Sequence, residues 1–236
     1  MTVAGAPATK AGRLVADTEA IVVHAPPPRF VSRGGEKLDA ALDRFDVVVA
    51  GRRALDAGAS TGGFTDCLLQ RGAIEVTGVD VGYGQLHERL RADPRVHAVE
   101  RTNIRHVTPA DLGGPFPLVV ADLSFISLRT VLPALVALTE PGADLVLLVK
   151  PQFEAGRAEA ARGKGVVTDP VVWRRVLGEV RDAISAQPAA MMDAMVSPLQ
   201  GADGNVEFLV HARAGAAASG AGPDLDAVVA SAIGAG

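Results

Sequence analysis

Residues 54–64 constrain the fold of this chain more than any other stretch. A short apolar run ends in Asp56-Ala57-Gly58-Ala59-Ser60-Thr61-Gly62-Gly63-Phe64, and further apolar residues follow. Glycines let a backbone turn sharply and approach a ligand closely. The free N–H groups of a helix that opens there point over the end of the strand. The segment therefore predicts a strand, a glycine-rich turn and a helix, with a ligand bound above the turn.

The next predicted strand, residues 75–80, ends in an acid, Asp80. In nucleotide-binding α/β folds an acid at this place accepts hydrogen bonds from ribose hydroxyls. The glycines Gly58, Gly62 and Gly63 do not have the G-x-G-x-x-G spacing of a dinucleotide site. Glycines in such a turn also occur as turn chemistry alone. Together with Asp80, however, they favour a site for an adenosyl ligand.

Composition allows one α/β domain with small appendages. The chain has 236 residues, of which 48% are hydrophobic and only 4% aromatic, so its core must be built from Ala, Val and Leu. A net charge of −4 is not typical of a general polyanion binder. A nucleic acid would need local basic patches, and solvated surface charge is the alternative explanation of each cluster. The basic clusters are Arg52 and Arg53; Arg89, Arg91, Arg95, Arg101 and Arg105; and Arg157, Arg162 and Lys164.

The single cysteine, Cys67, excludes an internal disulfide and a zinc site built on cysteines. The first residues do not have the pattern of a signal peptide, and no run of apolar residues is long enough to span a membrane. We expect a soluble, cytoplasmic protein without a membrane partner.

Strand and helix patterns alternate along the chain, as in a parallel sheet covered by helices on both faces. After the glycine-rich strand, further strands are predicted over residues 74–80, 96–100, 116–122 and 143–150, with a closing pair over 191–196 and 206–210. Helices are predicted over 64–71, 84–92 and 127–138, from 169 onward, and weakly over 224–233. Ligands of such sheets bind beyond the carboxyl ends of the strands.

Polar side chains follow those strand ends: Asp56, Asp80, Asn103, Asp122 and Lys150. For any one of them a helix cap or a turn is the alternative role. Lys150 ends an apolar strand, and a lysine that is partly removed from water can act as a base. In addition, a helix is predicted after Ser32, its expected cap, and it places Lys37 in a first turn, where a cation is disfavoured.

Six segments together resemble the ribose 2′-O-methyltransferases of the FtsJ type, and most closely the TlyA / hemolysin A-type ribosomal RNA methyltransferases. They are residues 32–38 (SRGGEKL), 55–65 (LDAGASTGGFT), 80–86 (DVGYGQL), 122–127 (DLSFIS), 150–154 (KPQFE) and 204–208 (GNVEF). Lys37, Asp122, Lys150 and Glu207 occur in the order of the family's catalytic tetrad. The resemblance covers residues 30–213.

The resemblance implies a Rossmann-like class I methyltransferase with a mostly parallel, seven-stranded sheet and S-adenosyl-L-methionine as cofactor. It implies methyl transfer to a ribose 2′-hydroxyl of a cytidine in ribosomal RNA, with ribosomal subunits as partners and no metal. Lys150 would activate the hydroxyl, Asp122 would hold Lys150, and Lys37 and Glu207 would orient the hydroxyl. The cofactor-binding residues would be Asp56, Gly58, Ser60, Gly62, Gly63, Phe64, Asp80, Asn103 and Asp122.

The same resemblance suggests four regions. Residues 1–25 would be a partial S4-like RNA-binding remnant, 26–31 a linker, 32–213 the methyltransferase domain, and 214–236 an Ala/Gly-rich tail that packs loosely. Two alternatives stay open: a degenerate methyltransferase fold that only binds RNA or ribosomes, and a hemolysin-like activity. The second is disfavoured because no spanning or strongly amphipathic segment is found.

Overall fold

A computed structural model describes residues 1–10, 12–22, 28–156, 159, 163, 165–216 and 222–234. Near the N-terminus, β1 (Thr2–Val3), β2 (Ala6–Pro7) and β3 (Ile21–Val22) form a small antiparallel sheet in the order β2-β1-β3. Residues 26 and 27 of the predicted linker lie outside the described residues, and its assignment as a linker stays a prediction. Assignment of the first 25 residues to an S4-like remnant stays a prediction.

The rest of the described chain forms a seven-stranded sheet and the segments that connect or flank its strands. Its strands are β4 (Arg53–Ala57), β5 (Glu75–Val79), β6 (Val96–Val99), β7 (Phe116–Ala121), β8 (Thr139–Val149), β9 (Ala189–Val196) and β10 (Phe208–Ala214). Their order is β6-β5-β4-β7-β8-β10-β9, with the first five parallel and β10 antiparallel to both of its neighbours. The predicted fold class is therefore confirmed.

Helices cover both faces of this sheet, because the central strands are apolar on both sides. The helices are α1 (Gly34–Arg44), α2 (Gly63–Gln70), α3 (Glu88–Arg91), α4 (Leu128–Ala137), α5 (Pro151–Glu154), α6 (Pro170–Ser185) and α7 (Leu225–Ile233). Side chains of α1 and α2 share one core with Val76, Leu118 and Leu148, and side chains of α4, α6 and α7 share the other with Leu145 and Val210. Within the described ranges, none of the helices is long and apolar enough to cross a lipid bilayer.

Three local predictions were wrong. The helix predicted over residues 84–92 is reduced to α3, because Asp80 accepts a hydrogen bond from the Gly82 N–H and Gly84 has a positive φ of 70°, which favours turns. Ser32 does not cap α1; Arg33 occupies the cap position and no side chain caps it. The tail does not pack loosely throughout, because Leu225, Val229 and Ala232 of α7 are buried in the core.

The carboxyl ends of four neighbouring strands meet at one edge of the sheet. Gly58 follows β4, Asp80 follows β5, Asp122 follows β7 and Lys150 follows β8. Because β5, β4, β7 and β8 are adjacent and parallel, these residues lie along a single rim. Two adjoining cavities open at this rim.

Candidate active site

The larger cavity, about 460 Å³, lies over the ends of β4, β5 and β7. Its volume is within the range of small-molecule sites, roughly 300–1,000 Å³. Four of the residues predicted to bind the cofactor line it together with Asp122: Gly58, Ser60, Asp80 and Asn103. The structure thus brings predicted cofactor residues that follow four different strands, β4, β5, β6 and β7, to one cavity.

Asp80 is held in place by backbone N–H groups. Its Oδ2 accepts from Ser60 N–H at 2.8 Å, and its Oδ1 accepts from Gly82 N–H at 2.7 Å. Each carboxylate oxygen keeps a lone pair for a further donor. The arrangement fixes the carboxylate at the cavity wall, where it can accept from hydroxyls of a ligand.

The glycine-rich turn has the backbone geometry that brings it close to β7. Gly58 has a φ of 87°, and an added Cβ would lie 2.4 Å from the Asp122 carbonyl oxygen. Ser60 has a φ of 47°, an uncommon value for a residue with a side chain. Its N–H is the group that Asp80 accepts from, so the strained turn is secured by the same acid that lines the cavity.

A smaller cavity of about 270 Å³ adjoins the first, and Gly58, Ser60, Asp122 and Ser124 line both. Lys150 reaches its wall from the end of β8. The Lys150 ammonium lies 2.6 Å from Asp122 Oδ1 and donates to Ser124 Oγ at 2.8 Å. An ammonium has three donors, so besides the contacts to Asp122 and Ser124 at least one N–H remains for another oxygen.

Lys37 lines the same small cavity from α1 and pairs with Glu207, which directly precedes β10. Its ammonium lies 2.5 Å from Glu207 Oε2, and both side chains are buried. An added Cβ on Gly201 would lie 2.2 Å from Glu207 Oε1, so a glycine is needed beside this carboxylate. The Glu207 carboxylate compensates the charge of the Lys37 ammonium. This explains how a cation is tolerated in the first part of a helix.

Four of the residues predicted to bind the cofactor, Asp56, Gly62, Gly63 and Phe64, do not line the larger cavity. Gly63 and Phe64 line the small cavity instead, and Phe64 is also part of the core. Gly62 is buried toward α3, where an added Cβ would lie 2.2 Å from Leu90 Cδ1. The glycine at position 62 is therefore explained by its packing against Leu90 of α3, and not by contact with a ligand.

Asp56 is fully buried inside β4 and lines neither cavity. Its Oδ2 accepts from the Thr65 hydroxyl at 2.6 Å, and its Oδ1 has no hydrogen-bond partner among the described residues. Burial raises the pKa of Asp56 from 3.8 to about 7, the Thr65 hydrogen bond opposes this, and the negative charge of Asp122 adds to it. Asp56 supports the turn from below and does not contact the space a cofactor would fill.

Several residues at the site were not assigned a role in it from the sequence. Ser124 accepts from Lys150, and Ser32 approaches Gly63 so closely that an added Cβ there would lie 2.2 Å from Ser32 Oγ. Buried Glu154 accepts hydrogen bonds from the start of α4. Ser124 and Glu154 belong to segments 122–127 and 150–154, which resemble the family. That resemblance was the sequence signal that could have identified them.

The basic clusters are largely engaged with acids. Arg52, Arg53, Arg89, Arg91 and Arg95 each form an ion pair. Arg33, Arg101 and Arg105 form none with the described part of the chain, and the third predicted cluster, Arg157, Arg162 and Lys164, lies outside the described residues. Of these three arginines, Arg33 lines the small cavity, and Arg101 lies 4.0 Å from the ring centroid of Tyr83.

The profile of FtsJ-like methyltransferases matches residues 30–214. The chain belongs to this family. It is 52% identical over 210 residues to the 16S/23S rRNA (cytidine-2′-O)-methyltransferase TlyA of Mycobacterium tuberculosis, covering 89% of this chain and 78% of that protein. It is 38% identical over 184 residues to Hemolysin A of Brachyspira hyodysenteriae, covering 78% and 76%.

Solved structures agree with the family assignment. A structure described as a "putative hemolysin" from Streptococcus thermophilus superimposes with a TM-score of 0.83 and 40% identity, covering 89% of this FtsJ-like chain and 76% of that one. The N-methyltransferase NodS of Bradyrhizobium japonicum, in complex with S-adenosyl-L-homocysteine, has a TM-score of 0.53 and 20% identity, covering 78% and 88%, and shares the fold.

As an FtsJ-like methyltransferase, the protein uses S-adenosyl-L-methionine as methyl donor. The larger cavity fits this cofactor on its own geometry. Gly58 brings the backbone of β4 to the cavity wall, where a Cβ would meet the Asp122 carbonyl, and Asp80 presents a fixed carboxylate suited to two ribose hydroxyls. Asn103 lies at the same wall, although its side chain already accepts from Arg105 N–H at 3.1 Å.

Proposed function

We propose that this enzyme transfers a methyl group from S-adenosyl-L-methionine to the 2′-hydroxyl of a cytidine ribose in ribosomal RNA. The observation that carries the proposal is the pair of lysine–carboxylate contacts at the small cavity, directly beside the cavity that fits the cofactor. The name of the Mycobacterium tuberculosis relative supports cytidine and both ribosomal RNAs as the substrate class.

The reaction needs a hydroxyl that loses its proton as it attacks. A ribose hydroxyl is a weak nucleophile, so a neighbouring group must take the proton or stabilise the oxygen. When bound, the cofactor supplies an activated methyl group. The new bond forms between the 2′-oxygen and the methyl carbon, the bond from sulfur to that carbon breaks, and the hydroxyl proton is released.

Lys150 is the residue assigned to that proton. Its Nζ is anchored by Asp122 and Ser124 and retains one position for the 2′-oxygen. As a neutral amine it takes the proton at Nζ, and as an ammonium it stabilises the developing oxygen anion.

Lys37 and Glu207 orient the hydroxyl from the side of α1. Lys37 is the member of this pair that lines the cavity, and Glu207 holds it from behind. Because the methyl donor is already activated, positioning of the two reactants supplies much of the acceleration. Asp122 has two functions in this scheme, since it also lines the cofactor cavity.

Exposed aromatic rings at the mouth suit a nucleic acid. Phe125 lines the larger cavity, is 93% exposed and has a φ of 64°. Tyr83 is 67% exposed and carries Arg101 on its ring. Bases that are splayed out of an RNA stack on such rings and on guanidinium planes. We expect Phe125 and Tyr83 to contact bases next to the reacting ribose.

The test is transfer of labelled methyl to purified 30S subunits, 50S subunits and naked RNA, followed by nuclease digestion to locate the label. Label on the 2′-oxygen of a cytidine, lost in Lys150→Ala, is the expected result. Label on a base would contradict the proposed reaction. Binding of the cofactor with no transfer to any of the three RNAs would favour the alternative of a protein that only binds RNA.

A further inference from the structure

A second carboxylate network lies next to Lys150. Glu154 ends α5, four residues after Lys150, and its side chain is buried. Its Oε1 accepts from Leu128 N–H at 2.5 Å, and its Oε2 accepts from Ser127 Oγ at 2.6 Å and from Arg129 Nε at 3.1 Å. Arg129 also donates to the Glu154 carbonyl at 2.8 Å. All of these donors belong to the first residues of α4 or to its cap.

Glu154 supplies the cap that α4 does not provide for itself. Ser127 occupies the cap position, but its own side chain caps no N–H of the helix. The first N–H groups of a helix have no partner within it, and a carboxylate there is favoured by the helix dipole. Glu154 therefore ties the beginning of α4 to the segment that follows Lys150.

The segment held at one end by this cap carries the active site. Residues 122–127 run from the end of β7 to α4 and contain Asp122 and Ser124, the two contacts of Lys150. The same segment lines the cofactor cavity through Leu123, Phe125 and Ile126. Phe125 has a positive φ, which persists only when the surrounding structure holds it.

From this geometry we infer that Glu154 is a positioning residue for methyl transfer. It clamps the 122–127 segment to the turn after Lys150, and so it fixes the distance between Lys150 and its partners Asp122 and Ser124. The inference rests on the proposed function, because it assigns Glu154 a role in that reaction. Glu154 itself lines neither of the two cavities.

The experiment compares Glu154→Gln with Glu179→Gln in the labelled-methyl assay. Both remove a carboxylate that pairs with Arg129, since Arg129 lies 2.6 Å from Glu179 Oε2, but Glu179 has no bond to Ser127 or Leu128. We expect Glu154→Gln to lower kcat about 10- to 100-fold, the effect of small misplacements of reacting groups. We expect Glu179→Gln to keep kcat near the wild-type value.

Two further measurements separate positioning from loss of fold. Thermal unfolding gives the folded fraction, and calorimetry gives cofactor affinity for each variant. Ser127→Ala removes one bond to Glu154 and should lower kcat in the same direction by a smaller factor, with little further loss in the double variant with Glu154→Gln. Unchanged kcat per folded molecule in Glu154→Gln and Ser127→Ala, or equal losses in Glu154→Gln and Glu179→Gln, would overturn the inference. A wild-type protein that methylates no RNA would instead refute the proposed function.

Discussion

Two lysine–carboxylate pairs serve the same small cavity, but their surroundings differ. The Lys37 and Glu207 side chains are 8% and 3% exposed, whereas those of Lys150 and Asp122 are 11% and 25% exposed. The first pair joins α1 to the residue before β10, across a core, and the second joins two neighbouring strand ends. The Lys37–Glu207 pair, the sealed pair, therefore contributes to stability as well as to the site. The Lys150–Asp122 pair, the open pair, is free to act mainly in the chemistry.

The largest expected effect concerns the open pair. Lys150→Ala should lower the rate of methyl transfer about 10²- to 10⁴-fold, the usual contribution of a positioned acid–base group. Cofactor affinity should remain near the wild-type value, because Asp80 and the glycine-rich turn are untouched. Single-turnover rates and calorimetry measure the two quantities. Near-normal methylation by this variant would remove Lys150 from the mechanism.

The sealed pair should show a different pattern. Lys37→Met leaves the carboxylate of Glu207 buried without its cation, and breaking a buried pair in this way costs about 3–5 kcal/mol. Urea unfolding should show that loss in the free energy of unfolding. The double variant Lys37→Met/Glu207→Gln should recover most of the stability but not the activity. Equal stability of Lys37→Met and the wild type would show that the pair is not sealed.

Much of this site was predictable because its residues stand at strand ends. Asp80, Asp122 and Lys150 directly follow apolar runs, and parallel strands bring such residues to one edge. The fold class followed from the same alternation. The order of Lys37, Asp122, Lys150 and Glu207 added the family resemblance, and comparison with known proteins confirms the family.

What sequence patterns could not predict depends on contacts between distant segments. Asp56 looks like a ligand residue in the motif, yet burial and Thr65 turn it away from the cavities. Glu154 looks like a surface acid in a short helix, and only the approach of α4 gives it three donors. The helix predicted over residues 84–92 is shortened to α3 by the turn at Gly84 and by the hydrogen bond from Gly82 N–H to Asp80. Helical periodicity does not reveal these features.

Asp56 extends the comparison of the two pairs, since it is a buried carboxylate without a lysine. Its pKa in the folded protein is raised to about 7 by burial, against 3.8 for the free side chain. Below pH 3.8 both folded and unfolded chains hold the proton. Between pH 3.8 and about pH 7 the unfolded chain binds fewer protons than the folded chain. The contribution of Asp56 to stability is therefore lost as pH rises, by at most about 1.4 kcal/mol per pH unit.

Asp56→Asn should remove that pH dependence. Among Lys150→Ala, Lys37→Met and Asp56→Asn, it should have the smallest effect at low pH. The difference in free energy of unfolding between Asp56→Asn and the wild type should therefore increase in favour of the variant from pH 5 to pH 7, by about 1 kcal/mol per unit. Asp93→Asn is the matched control, because a hydrogen bond from Arg95 lowers the pKa of that exposed acid to about 2, outside this interval. Parallel stability curves for Asp56→Asn and the wild type would mean that Asp56 is ionised in the folded protein. The glycine-rich turn would then need a compensating partner for that charge, as Glu207 needs Lys37.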